Sequence, residues 1–347
     1  VNKTLISVLV ANALVVSTSA YAANNQRGFT VEDSIYDSVL NDAMQFGGHI
    51  GTSYEYEEKD VTDFASWGGD FTEKTKTHEI FGVFYKNSKW DLSALYALKQ
   101  VNRNKTSKKS NDSELEESFK HLMSLNKGFD LGDGWTTGLI YDLEYTRGKI
   151  YSTSGTKGLG ISKAEHSVRP YLTYWNNEYN AGVYTNLEYL YNDEDKNSWG
   201  TRQEKGYSFL IKPYKRMGNW EFGVELYYQI KDNDAKNGDG TINEVSDFTE
   251  KYAEPIVQYS FEDAGALYVR TRIGENKTTV SDGWAKDSEY FKDIRKATVG
   301  YEQAVGDDWL VKAEYEWAKD KETFTQKEGE EKIVEQNTFF LQALYRF

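Results

Sequence analysis

The chain has 347 residues, with 41 Lys and Arg against 55 Asp and Glu, 3 Pro, no Cys, and 15% aromatic residues that include 26 Tyr. Its net charge of -14 argues against a nucleic-acid partner, whose phosphates require a basic face, and the lack of Cys removes disulfide frameworks, thiol catalysis and Cys-ligated metal sites. After residue 16 no apolar run reaches the roughly 20 residues of a membrane helix, so strands are the only elements with which this chain could cross a bilayer.

The amino-terminal residues read as an export signal. Lys3 supplies a positive start, Leu5 to Val16 form an apolar stretch, and Ala20-Tyr21-Ala22 is a small-residue cleavage site, which predicts a leader over 1–22 and a mature chain from Ala23. Residues 23–45 are polar and amide-rich, beginning Ala23-Asn24-Asn25-Gln26-Arg27-Gly28-Phe29, with Val31, Ile35, Val39 and Leu40 at helical spacing. Two readings of this segment stay open: it folds into an enclosed lumen and narrows it, or it hangs free as a tail.

From Phe46 the chain alternates with period two. Trp135, Thr137, Leu139, Tyr141, Leu143 and Tyr145 oppose Asp142 and Glu144. Tyr179 to Tyr191 repeats the pattern against Asn186 and Glu188, Trp220 to Ile230 against Glu221 and Glu225, and Trp309 to Trp317 against Lys312, Glu314 and Glu316. Each such segment has one face for oil and one for water. Short turns near Asn87-Ser88, Gly132-Asp133-Gly134, Asn176-Asn177, Gly218-Asn219, Asp263-Ala264-Gly265 and Gly306-Asp307-Asp308 alternate with long polar loops near 59–74, 102–114, 148–163, 192–203, 232–248, 276–289 and 320–334. Six turns and seven loops separate fourteen strands of about 10–13 residues, enough to cross a bilayer when tilted. Trp90, Trp135, Trp220, Trp309 and Tyr179 each follow a short turn, as an aromatic interface belt requires. The repeat length of about 41 to 46 residues also suits a propeller blade, but a blade divides into four short strands rather than two long ones.

The end of the sequence, Phe339, Leu341, Ala343, Tyr345 and Phe347 alternating with Thr338, Gln342 and Arg346, reads as a last amphipathic strand. The expected fold is all-β: a 14-stranded antiparallel transmembrane barrel over 46–347, with short periplasmic turns and long extracellular loops, in the bacterial outer membrane. A ring this wide holds water, and its inward face carries both signs: Asp91, Asp142, Glu144, Glu188, Glu225, Glu254, Glu314 and Glu316 with Lys99, Lys120, Arg169, Lys212, Arg270, Arg272, Lys312 and Arg346. Tyr171, Trp175, Tyr184, Tyr227, Tyr252 and Tyr268 share that face. Such rings either stack on sugars in transit or merely fill space.

No nucleophile elbow, zinc-protease motif or P-loop occurs, so no enzyme and no cofactor is expected. The acidic run from Asp232 to Gly240 places Lys236 where a calcium loop needs a ligand, and turn chemistry explains it better.

The signal segment, the fourteen strands, the terminal Phe347 and the amide-rich amino segment together resemble the monomeric OmpG-type outer-membrane porins, and among them the cyclodextrin-porin group. The resemblance implies a monomer that conducts sugars passively and a displaceable plug, which would fall on Asn24, Asn25, Gln26, Arg27 and Phe29. It also implies that the assembly machinery reads the last strand. OmpG-type channels gate through a histidine pair on late strands, whereas His49, His78, His121 and His166 all lie early, so that gate is not expected.

The leading function is passive diffusion of neutral oligosaccharides, cyclodextrin-like or linear, through a barrel bathed in outer-membrane lipid and lipopolysaccharide. An acidic-oligosaccharide porin would want an Arg-lined lumen, and a fatty-acid-type transporter of hydrophobic compounds a larger apolar hatch than residues 23–30 provide.

Overall fold

A sheet that is apolar on one side and wet on the other leaves no unpaired edge only if it closes on itself, and lipid tolerates nothing less. The computed structural model describes residues 46–62, 70–87, 90–108, 112–152, 158–196, 200–261, 265–283, 285–306, 308–325 and 331–346. Within them run fourteen antiparallel strands: β1 (Phe46–Thr62), β2 (Phe71–Asn87), β3 (Leu92–Ser107), β4 (Ser113–Gly132), β5 (Trp135–Ser152), β6 (Leu159–Asn176), β7 (Ala181–Asp195), β8 (Thr201–Met217), β9 (Trp220–Lys236), β10 (Ile242–Phe261), β11 (Gly265–Gly283), β12 (Glu289–Val305), β13 (Trp309–Phe324) and β14 (Glu331–Arg346). Each strand pairs with its sequence neighbours, and β14 returns to β1 in a register running from His49 opposite Arg346 to Thr62 opposite Ile333, which closes the barrel.

The phase of every strand follows its alternation. In β9, Phe222, Val224, Leu226, Tyr228 and Ile230 are exposed on the outer face, while Glu221, Glu225 and Gln229 are buried inside. At the short-turn end, rings pair across strands: Trp135 with Tyr174 at 4.6 Å, Trp220 with Tyr259 at 4.8 Å and Trp309 with Tyr345 at 5.1 Å between centroids. Farther up the outer face, the Tyr96 hydroxyl is bonded to Nδ1 of His121 at 2.9 Å, and Tyr141 to Nδ1 of His166 at 3.0 Å. The β4–β5 turn has both central residues at positive φ, 50° at Asp133 and 82° at Gly134, the backbone twist that a two-residue hairpin between twisted strands demands.

The strands hold 15 to 20 residues rather than 10–13, and most residues read as long loops belong to them. Polar residues outside the bilayer still alternate and their backbones still need partners, so the ladders continue. At about 3.3 Å per residue and a tilt of about 40°, these strands stand about 38–50 Å tall against an apolar band of about 25 Å. The expected leader 1–22, the segment 23–45 with Asn24, Asn25, Gln26, Arg27 and Phe29, the turn residues Ser88, Asp263, Ala264 and Asp307, and Phe347 lie outside the described residues.

Candidate functional site

With the outer face given to lipid, the chemistry that a solute meets is that of the inner face. Tyr171, Trp175, Tyr184, Tyr227, Tyr252 and Tyr268 all share the register of buried inward residues, as do Asp142, Glu188, Arg169, Arg270 and Arg272. Asp91 differs from the rest: it sits in the turn before β3 at φ 44°, with its carboxylate against Gly128 at the mouth of the barrel.

The aromatic residues form a sequence of steps. Trp175 lies one residue from the short-turn end of its strand, Tyr214 and Tyr184 three, Tyr171 five, Tyr227 seven and Tyr252 nine. Over four neighbouring strand intervals, β6 to β10, these rings therefore climb about 20 Å along the barrel axis. Neighbours on this path stack: Trp175 with Tyr214 at 5.5 Å and 17° between planes, Tyr171 with Tyr184 at 6.1 Å and 26°, and Tyr227 with Tyr252 at 4.7 Å and 21°. The Arg272 guanidinium lies 3.9 Å from the Tyr252 ring centroid, and Arg216 lies 5.8 Å from that of Trp175.

Glycines on the adjoining strand make room for the rings. A Cβ at Gly138 would overlap Tyr171, one at Gly182 would overlap Tyr214, and one at Gly300 would overlap Tyr268. Each ring thus lies over a neighbouring backbone. Tyr214 and these glycine seats were missed from sequence; glycines on the wet face of a strand are the available signal, and the register is needed to match each with its ring.

Inward charges cancel pair by pair. Arg169 bonds Asp142 at 2.6 Å and lies 3.9 Å from Glu188; Lys120 meets Glu144 at 2.8 Å; Lys99 meets Glu79 at 3.6 Å. Glu254 takes Arg272 at 2.6 Å and Arg270 at 3.7 Å, Lys312 meets Glu314 at 3.0 Å, and Lys296 meets Glu316 at 3.2 Å. The Tyr252 hydroxyl donates to Glu225 at 2.8 Å, and the Tyr268 hydroxyl donates to Glu314. Lys212 is buried opposite Glu225. Such a lumen offers many donors and acceptors with little net field. Low on another wall, Phe84 and Leu344 are fully buried, with Leu95 and Leu310 packed against them.

Toward the opposite end, a polar cavity of about 150 Å³ lies among residues that include Glu194, Arg202, Asn233 and Glu244. The acidic run nearby is turn chemistry. Asp232 and Asp234 belong to β9, and Asp239 accepts from the Thr241 hydroxyl at 2.6 Å and its backbone N–H at 2.9 Å, which holds the Asp239 carboxyl below the usual range.

A family model described as "CymA: Putative cyclodextrin porin" matches residues 1–347. No curated protein sequence matches. Among solved structures, the barrel is similar to a TodX monoaromatic hydrocarbon channel deltaS2 mutant, with a TM-score of 0.56 and 10% identity over 89% of this chain and 92% of that one. It is also similar to the Pseudomonas putida toluene transporter TodX, with a TM-score of 0.53 and 10% identity over 88% and 91%. At such identity these likenesses establish the fold alone, a closed β-barrel, and neither of the two is an OmpG-type porin.

Proposed function

Because the chain belongs to the CymA cyclodextrin-porin family and is a channel of the bacterial outer membrane, we propose that its cargo is neutral oligosaccharide moving passively along the β6–β10 wall. The climbing row of rings carries this reading. A pyranose has two apolar faces and a hydroxyl rim, so it can pass from ring to ring while nearby carboxylates, guanidiniums and amides exchange hydrogen bonds with its edge. Pairwise cancellation of lumen charge favours an uncharged solute over an acidic one.

In this reading the barrel works as a monomer surrounded by outer-membrane lipid and lipopolysaccharide. Its last strand is the part that the assembly machinery reads, residues 1–22 are removed on export, and residues 23–45 narrow the lumen. Deleting residues 23–40 then raises single-channel conductance.

The test of cargo is uptake into liposomes and current blockade by cyclic and linear glucose oligomers, set against acidic oligomers. Blockade by neutral oligomers should weaken about 2–10-fold in Tyr227→Ala or Tyr252→Ala, the equivalent of one lost stacking contact of about 0.5–1.5 kcal/mol. Preferential uptake of acidic oligomers would overturn the reading. A second reading, passage of hydrophobic compounds, draws support from the likeness of the barrel to a monoaromatic hydrocarbon channel. Faster transfer of toluene than of sugar would select it.

A further inference from the structure

The chain contains 3 prolines, Pro170, Pro213 and Pro255, and all lie inside membrane-spanning strands. A proline in a strand has no N–H for the ladder, and in lipid a lost ladder bond is not replaced by bulk water. All three occupy alternate strands, β6, β8 and β10, on the wall that carries the aromatic row, and all face outward.

Each coincides with a gap in one ladder. Between β6 and β7, pairing stops after Val168 opposite Tyr189 and resumes at Tyr171 opposite Asn186, which skips Arg169-Pro170. Between β8 and β9 it skips Lys212-Pro213, from Ile211 opposite Leu226 to Tyr214 opposite Gly223. Between β10 and β11 it skips Glu254-Pro255, from Ala253 opposite Ile273 to Ile256 opposite Arg270. Register is unchanged across every gap, and on its other side each proline stays paired, opposite Leu139, Val183 and Val224 respectively. Among the described residues one further gap keeps its register, in the β12–β13 ladder at Ile294-Arg295, and it has no proline and lies farther from the short turns; the other interruptions, such as those at Gly51/Ser53 and Glu79/Phe81, are register shifts.

A second regularity joins the first. The residue before each proline is charged, points inward and faces an opposite charge across the same seam. Arg169 lies 3.9 Å from Glu188, Glu254 lies 2.6 Å from Arg272, and Lys212 stands in register opposite Glu225. At three seams of one wall the strand pairing is interrupted; an ion pair spans the join on the lumen side at two of them, and at the third a buried lysine stands across from a glutamate.

The two kinds of tie respond differently to stretching. A hydrogen bond is lost within a fraction of an ångström or a few tens of degrees, whereas charge attraction decays only as the inverse of distance. We infer that the proline seams make the β6–β11 wall the one that gives way as wide cargo passes, so that Pro170, Pro213 and Pro255 set the upper size limit of the channel. This rests on the proposal that large oligosaccharides are the cargo, yet width can be measured without sugar.

The experiment compares the full chain with Pro170→Val, Pro213→Val, Pro255→Val and the triple variant, each of which returns an N–H to its seam. Conductance in potassium chloride is recorded with neutral polyethylene glycols of graded size. The expected result is an unchanged salt conductance with a smaller polymer cut-off, furthest reduced in the triple variant. Uptake of a wide cyclic glucose oligomer should fall about tenfold while uptake of glucose stays within about twofold. An unchanged cut-off in every folded variant, or an equal loss for narrow and wide solutes, would overturn the inference. If the wild type excludes sugars yet the cut-off still shifts, the cargo reading fails and the seams stand.

Discussion

Tyr268 depends on a glycine one strand away. Its ring lies over Gly300 and its hydroxyl donates to Glu314, so the floor and the anchor come from different strands. In Gly300→Ala the new methyl group overlaps the ring, which must turn into the lumen. We expect a lower single-channel conductance and a loss of about 1–3 kcal/mol in urea unfolding, the usual cost of overpacking. Burial decides a second comparison. Arg272→Gln leaves Glu254, which is 3% exposed, without its nearest cation, and should cost about 3 kcal/mol or more. Lys251→Gln breaks a pair with Glu275 at 2.8 Å whose side chains are 63% and 59% exposed, and thermal melting in detergent should register a far smaller loss than Arg272→Gln. The inward placement of Tyr171, Tyr227 and Arg270 was legible because period two fixes the face of every residue in a strand. Their partners were not, because partners depend on register.

In each strand, one face in lipid and one in water sets unequal tolerances along the same segment. Leu226 of β9 lies in the lipid band beside Val224 and Tyr228. Leu226→Arg should lower stability in bilayers by about 2–4 kcal/mol, whereas Gln229→Arg on the wet face should fold with near wild-type stability; equilibrium unfolding followed by tryptophan fluorescence separates the two. Alternation made the fourteen strands and their faces readable in advance. Strand ends were not, because a polar hairpin above the membrane and a polar loop have similar composition, and only cross-strand pairing distinguishes them. Pro170, Pro213 and Pro255 escaped notice for a related reason. In an open sheet, proline within a run of strand residues signals an edge or an end, and a closed ring has neither, so here it marks a break in a ladder.

Taken as one object, the protein is a cylinder whose interior charge is cancelled locally, whatever the -14 carried by the whole chain. A potassium chloride gradient across a bilayer should therefore give a reversal potential close to zero. Arg270→Ala with Arg272→Ala, which leaves Glu254 without its two nearest cations, should move the potential clearly toward cation preference. The height of the cylinder has a separate outcome for the cell. Its walls keep their cross-strand bonds well beyond the lipid on the side of the longer connections. A foreign protease needs several residues of unpaired chain to thread its cleft. Along the fourteen strands it finds none, so the barrel wall that stands above the lipid should resist nicking.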